Sequence, residues 1–236
     1  MKKSFLIFLL LLMISSFNSF AQIAGFNFTL GFPTGEFKNN VKRTGFGASG
    51  EFLLFTPSVQ NPFSIGLNVG FINYGSESRE EPFSSTIPDV IVNVDRSNNI
   101  VNFHVLFQLT FPTGIIRPYA EGLFGGSYIY TQTSVKSNLD EIASTTNFDD
   151  FAWSYGAGGG LLIQVFSPDE PISKLSSVFI DLKVRYLYGS EAEYLKQGSV
   201  SINRNGGVTY YTSKSKTDLL TANIGAVVYF NSLFNN

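Results

Sequence analysis

Apolar residues alternate with small or polar residues over many stretches of the chain, and this period of two restricts the fold more than any other feature. In one stretch Phe63, Ile65, Leu67, Val69 and Phe71 alternate with Ser64, Gly66, Asn68 and Gly70. Successive side chains of a β-strand point to opposite faces, so strict alternation predicts a strand whose two faces meet different surroundings. The same alternation recurs at 101–111, 153–165, 178–186 and 220–230, and in weaker form at 23–32, 45–56 and 118–130. The pattern predicts an all-β chain of eight strands, although the two faces of 118–130 cannot be assigned from the side chains.

The connections between the predicted strands alternate in length. Three are short and contain proline, namely 57–62, 112–117 and 167–176, and four are longer and polar, namely 33–44, 75–98, 131–150 and 189–217. This order predicts an antiparallel up-and-down barrel with its short turns at one end and four long loops at the other. In the last loop Asn205-Gly206-Gly207 favours a tight hairpin that extends strands seven and eight above the barrel. Ten strands remain an alternative, because Val90–Val94 can pair within the second long loop.

Alternation alone fits two opposite barrels, a soluble one with an apolar interior and a membrane one with an apolar exterior. The face opposite the apolar one is built from Gly45, Gly47, Ser49, Ser64, Gly66, Asn68, Gly70, Ser154, Gly156, Gly158, Gly160 and Gly225. Glycine and serine make a poor water-facing surface but fit the narrow interior of an eight-stranded barrel. Charged residues make up 14% of the chain, whereas soluble domains average about 25%. The sequence therefore favours a transmembrane β-barrel, with a soluble ligand-binding barrel as an alternative.

Aromatic residues gather near both ends of the predicted strands. Phe63, Phe111, Phe166 and Phe230 fall at the short-turn ends, and Phe32, Phe46, Tyr128, Tyr130, Phe151, Trp153, Tyr155, Tyr186 and Tyr188 fall near the long-loop ends. Two such bands resemble the aromatic girdles at the interfaces of a membrane.

The first twenty-one residues have the three regions of a secretory signal peptide. Lys2 and Lys3 precede an apolar run at 5–14, and Ser19-Phe20-Ala21 ends in small residues that a signal peptidase accepts. The run is about half the length of a spanning helix. We therefore expect residues 1–21 to be removed near Ala21 and residues 22–236 to form the barrel domain.

Several function classes lack the residues they need. The chain has no cysteine and a formal net charge of −2, and its Lys and Arg residues do not cluster, so neither a thiolate metal site nor nucleic-acid binding is predicted. The glycines of 156–160 are followed by no helical pattern, which phosphate binding requires. We predict no cofactor and no metal, and interpret these glycines as making room inside the barrel.

Five charged residues, Glu51, Glu121, Asp181, Lys183 and Arg185, are expected to point into the barrel, Glu121 less firmly than the others. Burying any of them alone is costly, so they should pair as an acid–base network. The network is interpreted as a structural plug. The alternative is an ion or proton path that is gated by switching of the pairs.

Three segments resemble the small eight-stranded outer-membrane proteins of the OmpA, OmpX and OmpW kind and the PorT-like barrel proteins. They are GFPTGEF at 31–37, RPYAEGLFGG at 117–126 and NIGAVVYF at 223–230. By this resemblance Asn223, Gly225, Val228 and Phe230 form the signal that the outer-membrane assembly machinery reads, although six residues follow Phe230 here. The resemblance implies a location in the outer membrane of a Gram-negative bacterium, with the lipid bilayer and the assembly machinery as partners.

His104 is the single histidine, and similar membrane-barrel enzymes that modify lipid A use a histidine with a serine and a carboxylate. It lies on the polar face at mid-strand, and its neighbours in the sequence supply no serine nucleophile. We therefore expect His104 to join the polar lumen as a hydrogen-bonding side chain.

The leading functional hypothesis is a non-enzymatic barrel that displays extracellular loops for binding, adhesion or envelope integrity. Loop 75–98 is the expected contact surface because it carries Glu77, Arg79, Glu80, Glu81, Asp89, Asp95 and Arg96. The alternatives are a narrow channel or a component of a transport or secretion machinery, and a lipid-modifying enzyme. The sequence identifies no extracellular ligand.

Overall fold

Eight strands close into one antiparallel barrel. The structure, a computed structural model, describes residues 23–84, 87–137, 140–168, 175–202 and 208–230. The barrel strands are β1 (Ile23–Pro33), β2 (Gly45–Leu53), β3 (Phe63–Ser84), β4 (Ile87–Thr110), β5 (Ile116–Ser137), β6 (Asp140–Phe166), β7 (Leu175–Gly189) and β12 (Leu219–Phe230). Each pairs with its neighbours in the chain, and β12 closes the barrel against both β7 and β1. The predicted fold class is confirmed, and Val90–Val94 forms part of β4 rather than an additional strand.

Short elements lie at the long-loop end. The helix α1 (Gly35–Asn40) follows β1, and two small sheets pair β8 (Glu191–Tyr194) with β11 (Ser213–Lys216) and β9 (Val200–Ile202) with β10 (Val208–Tyr210). The last long connection therefore extends β7 and β12 above the barrel, as predicted, while Asn205-Gly206-Gly207 lies outside the described residues. No described helix has the length and apolar character needed to cross a membrane.

The two faces of the strands agree with the period of two. Phe28 and Phe103 point outward and are 66% and 50% exposed, whereas Asn27 and His104, one position away from them, are buried. The segment 118–130 follows the same rule, although its inward face carries the apolar Leu123 and its outward face carries Gly122, which is why its side chains gave no assignment.

Two of the predicted long loops are strands, which corrects the sequence-based expectation for 75–98 and 131–150. The strands β3, β4, β5 and β6 have 22, 24, 22 and 27 residues, whereas about 9–11 tilted residues span a bilayer. Their upper parts continue as a four-stranded sheet, residues 75–84, 87–98, 131–137 and 140–150, which we call the wing. Both faces of the wing carry polar residues, so the apolar alternation ends there although the backbone pairing continues.

The wing has two open edges, whereas the barrel is closed. Within the described ranges, the wing parts of β3 and β6 pair with no strand on their outer sides. The pairing of β2 with β3 stops at Asn73, and that of β6 with β7 starts at Ser154. The edge strand β6 is bulged at Asn147 and Ile142, where its register against β5 shifts. Bulges of this kind keep open edges from pairing with other chains.

Candidate functional site

The lumen contains five of the charged residues predicted from the sequence, joined in one chain of contacts. Lys183 Nζ lies 2.8 Å from Asp181 Oδ2 and 2.5 Å from Glu51 Oε2. Arg185 Nη2 lies 3.1 Å from the same Glu51 oxygen and 3.0 Å from Glu121 Oε2, and Arg185 Nε lies 2.5 Å from Glu121 Oε1. The network holds three carboxylates and two cations. All five side chains are buried, so every contact lies in a region of low dielectric constant, where such contacts are strong and unpaired charges are costly.

Two neutral residues that were not predicted complete the network. The Tyr119 hydroxyl donates a hydrogen bond to Asp181 Oδ1 at 2.7 Å. With its amide oriented to satisfy the network, Asn27 donates to Asp181 Oδ2 and accepts from Lys183 Nζ, both at 3.2 Å. Each was detectable in principle, since Tyr119 is two residues from Glu121 on the same face and Asn27 lies between two outward phenylalanines.

Glycines provide the space for this network. A Cβ at Gly25 would lie 2.8 Å from Glu51 Cγ, and a Cβ at Gly158 would lie 2.8 Å from Arg185 Cγ. Both distances are shorter than real Cβ contacts. The glycine-rich stretch 156–160 therefore belongs to the packing of the lumen, in agreement with its interpretation from the sequence.

His104 contacts a serine that the sequence analysis did not associate with it. Its Nε2 lies 3.0 Å from Ser154 Oγ, while its Nδ1 has no hydrogen-bond partner among the described residues. His104 pairs with Gly125 on β5, and Gly125 pairs with Ser154 on β6, so the two side chains meet across a residue without a side chain. The sequence argument considered only neighbours along the chain and missed this contact two strands away.

A small polar cavity lies beside His104 at mid-barrel. Its volume is about 20 Å³, which leaves room for roughly one water molecule. Its polar lining is Thr29, Ser49, Asn68, Asn102, His104, Arg185, Thr221 and Asn223. Among the described residues, no three acidic or histidine side chains are grouped as ligands for a metal ion.

Packed side chains close the lumen at the short-turn end. The rings of Phe179 and Tyr229 are 4.8 Å apart, and the Arg117 guanidinium lies 4.7 Å from the centre of the Phe179 ring. Ile23 and Leu53 are fully or almost fully buried at the same level of β1 and β2. Along β7 the inward residues pass from Phe179 through the charged network to Leu187, so the ionised groups lie between two apolar layers.

An aromatic cap closes the opposite end. The Phe37 ring of α1 meets the rings of Tyr74 and Tyr194 edge to face, with centroids 5.8 Å and 5.1 Å away. The Tyr74 hydroxyl donates to the Leu195 carbonyl at 3.1 Å, and the Tyr194 hydroxyl accepts from Asn40 Nδ2 at 3.0 Å. The cap ties α1 and the β8 segment to the wall, so side chains seal the lumen above the network as well as below it.

The wing carries the charged residues that were predicted to form a contact surface. Lys136 Nζ lies 2.8 Å from Asp95 Oδ2, Ser78 donates to Asp95 Oδ1 at 2.6 Å, and Arg96 Nη1 lies 3.6 Å from Glu77 Oε2. The outward face of the wing is largely hydroxyl and amide, from Ser76, Ser78, Ser97, Gln132 and Ser134. The side chains of Glu81 and Asp89 lie outside the described residues.

The charges of the wing perturb one another. Hydrogen bonds from Lys136 and then Ser78 hold the pKa of the Asp95 carboxyl below its ordinary value. Burial lowers the pKa of Arg96, and the neighbouring positive charge of Arg79 lowers it further. The Asp95 carboxyl therefore stays ionised in neutral solution, and both groups keep their charges.

The predicted assembly signal forms part of β12. Asn223 Oδ1 accepts a hydrogen bond from Thr29 at 2.7 Å, and a Cβ at Gly225 would lie 2.0 Å from the Phe26 carbonyl oxygen. Val228 and Phe230 lie on the outward face, where Phe230 is exposed. Residues 231–236 lie outside the described part of the chain.

A barrel with an apolar exterior and ionised side chains inside is the reverse of a soluble barrel, and this arrangement defines a membrane-spanning β-barrel. The chain is similar to the solved structure of neisserial surface protein A, with 10% identity and a TM-score of 0.39 over 88% of this chain and 95% of that one. It is similar to the N-terminal β-barrel domain of OprF from Pseudomonas aeruginosa, with 12% identity and a TM-score of 0.35 over 89% and 99%. For a major outer membrane protein from Thermus thermophilus the values are 13% and 0.38, over 88% and 99%. No protein-family model and no curated protein matches the sequence.

Proposed function

We propose that this chain is an integral outer-membrane protein of a Gram-negative bacterium, without enzymatic activity, whose barrel holds the wing outside the cell for binding, adhesion or envelope integrity. The observation that carries the proposal is the combination of a lumen sealed at both ends with a four-stranded sheet that rises well above the membrane. At about 3.3 Å per residue, the described wing parts of the four strands, 75–84, 87–98, 131–137 and 140–150, reach about 20–40 Å along the strand direction. The wing is therefore the part of the molecule that is built to meet a partner.

The wing is suited to display because one of its sides is held by contacts with other segments and the other side faces outward. On one side the Gly198 amide donates to the Glu77 carboxylate, and Asn147 Nδ2 donates to the Tyr210 hydroxyl at 3.1 Å. These contacts connect the wing to the turn before β9 and to β10. The opposite, outward face presents hydroxyl, amide and charged groups to the exterior.

Location and membrane insertion are tested together by fractionation and by electrophoresis before and after boiling in detergent. We expect residues 1–21 to be absent from the mature chain, and we expect it to fractionate with the outer membrane and run as a compact, fast form until it is boiled. Substitution of Phe230 by Ser should slow assembly if the β12 segment is read by the assembly machinery. A refolded mature chain that stays monodisperse without detergent would contradict the proposal and favour a soluble barrel.

Display by the wing is tested by shortening it. Replacing residues 78–95 by a two-residue Asn-Gly turn removes the upper part of the β3–β4 hairpin and leaves the membrane-spanning rows intact. We expect the shortened protein to keep its heat-dependent mobility on gels. Cells that carry it should attach less to surfaces and resist bile salts less than cells that carry the full chain. Attachment and bile-salt resistance equal to those of cells with the full chain would contradict the proposal that the wing acts in binding, adhesion or envelope integrity.

A narrow channel is the second candidate, favoured by the polar residues along the lumen. The seals at both ends argue against it, and recording from planar bilayers distinguishes the two functions. Steady openings that Lys183→Ala abolishes, in protein that keeps its folded mobility, would favour a channel or a transport component.

A lipid-modifying enzyme is the third candidate, because His104 contacts Ser154. Both side chains are buried inside the sealed lumen, where a lipid headgroup has no access. We expect the envelope lipids of cells that carry His104→Ala to match those of wild-type cells by mass spectrometry, and a changed lipid profile would favour the enzyme.

A further inference from the structure

A groove of about 450 Å³ lies in the outward wall of β3, β4 and β5, next to the short connection 54–62. It spans three rows of paired residues, of which the middle row is Ser64, Gln108 and Glu121. Their side chains point into the lumen, so the floor of the groove is backbone. The sides of the groove are therefore formed by the outward side chains of the two flanking rows.

The groove exists because β5 contributes small residues where its neighbours contribute large ones. In the two flanking rows β3 and β4 contribute the large side chains, while β5 contributes only Ala120 and Gly122; the large residues are Phe63, Ile65, Phe107 and Leu109. A Cβ at Gly122 would meet nothing within 4 Å, whereas a Cβ at Gly125 on the same strand would lie 1.9 Å from the Phe103 carbonyl oxygen. Backbone packing therefore requires glycine at 125 but not at 122, and the space above Gly122 is open to the exterior.

The position and chemistry of the groove select its occupant. It belongs to the apolar wall that faces the membrane, and it starts within about 10 Å, or three residues, of the short turns. The polar Asn61 lies at its turn end and the remaining sides are apolar. A ligand with a polar end at the interface and an apolar chain directed into the membrane fits this arrangement.

We propose that this groove binds one acyl chain of a phospholipid from the leaflet adjoining the short turns, more tightly than the rest of the wall does. The inference rests on the proposed membrane location. The inference adds a specific lipid-binding site to that proposed location.

Tryptophan fluorescence tests the site in the complete barrel. Trp153 is the single tryptophan of the chain, so a Trp153→Phe background removes the native tryptophan signal. Phe107→Trp then places the probe on the groove. Phe103→Trp is the matched control, because Phe103 lies on the same strand and face and is similarly exposed but does not line the groove.

Both probes are reconstituted into phosphatidylethanolamine vesicles that contain increasing fractions of lipid brominated on the acyl chain. The host phosphatidylethanolamine has short acyl chains, and a single brominated lipid species is diluted into it. We expect the probe at 107 to be half-quenched at a fraction of brominated lipid about tenfold lower than the probe at 103 requires. This difference corresponds to a preference of about 1.4 kcal/mol. Gly122→Leu fills the groove and should abolish this difference, while Val105→Leu, on the same outward face away from the groove, should preserve it.

Equal quenching of the two probes, or a difference that Gly122→Leu leaves unchanged, would overturn the site. A difference that disappears when the protein is diluted in the membrane, together with cross-linking between copies, would assign the groove to an interface and also overturn it. If neither probe is quenched, the wall does not face lipid, and the proposed membrane location fails along with the site.

Discussion

Asp181 in the lumen and Asp95 in the wing have almost the same partners in opposite environments. Each accepts a hydrogen bond from a hydroxyl, at 2.7 Å from Tyr119 and at 2.6 Å from Ser78. Each also lies 2.8 Å from a lysine nitrogen. The local geometry is therefore nearly constant while the surroundings change.

The surroundings decide what each arrangement contributes. Asp181 and Lys183 have fully buried side chains, whereas those of Asp95 and Lys136 are 35% and 40% exposed. Water and salt screen the exposed pair, and pairs of that kind contribute about 0–1 kcal/mol. A buried charge that loses its partner cannot be solvated, so losing one partner should cost more in the lumen than in the wing.

Removing the lysine of each pair should give the largest difference between lumen and wing in the free energy of unfolding. Lys183→Met leaves Asp181 without its cation and Glu51 with only Arg185, and we expect it to lower the free energy of unfolding by about 3–5 kcal/mol. Lys136→Met, the matched change in the wing, should cost less than about 1 kcal/mol. Urea titration in lipid vesicles, followed by mobility on unheated gels, measures both. Similar losses in the two variants would show that burial does not separate the regions.

Removing the hydroxyl that donates to each aspartate should also destabilise the lumen more than the wing, by a smaller difference in the free energy of unfolding. Tyr119→Phe deletes a hydrogen bond to a buried carboxylate, and such bonds contribute about 1.5–3 kcal/mol. Ser78→Ala deletes the corresponding bond at the surface and should change stability by less than about 0.5 kcal/mol. The same titration applies, and a larger loss for Ser78→Ala would reverse the comparison.

The lumen was more predictable from the sequence than the wing, because the two faces of its wall meet different surroundings. A barrel wall between lipid and a polar interior must alternate, so the faces of Asp181, Lys183 and Arg185 could be read from their neighbours. In the wing both faces carry polar residues, so apart from the short run Val90–Val94 the side chains did not distinguish β-strand from loop at 75–98. Contacts across strands, such as that of His104 with Ser154, depend on register, which a single strand does not encode.

That neutral contact provides an intermediate case. Ser154→Ala removes the hydrogen-bond partner of His104 Nε2 but exposes no charge, so we expect a cost of about 1 kcal/mol, below that of Tyr119→Phe. Urea titration of Ser154→Ala beside Tyr119→Phe checks the order. A cost equal to that of Lys183→Met would mean that packing around His104, rather than charge, controls the stability of the lumen.

Acid should give the smallest of these effects at Asp95 in the wing. The pKa of Asp95 is lowered from its ordinary value of 3.8, chiefly by the hydrogen bond from Lys136, so its contribution is present above that value and is lost as the pH falls through the lowered pKa. We expect a loss of less than about 1 kcal/mol, with the mobility of the folded barrel unchanged over the same range. Carbon-13 NMR of the Asp95 carboxyl measures the titration directly, and Lys136→Met should move its pKa back towards 3.8. If Asp95 titrates at the same pH in both proteins, Lys136 does not lower the pKa of this carboxyl. Asp95 and Asp181 would then not be comparable in their lysine contacts.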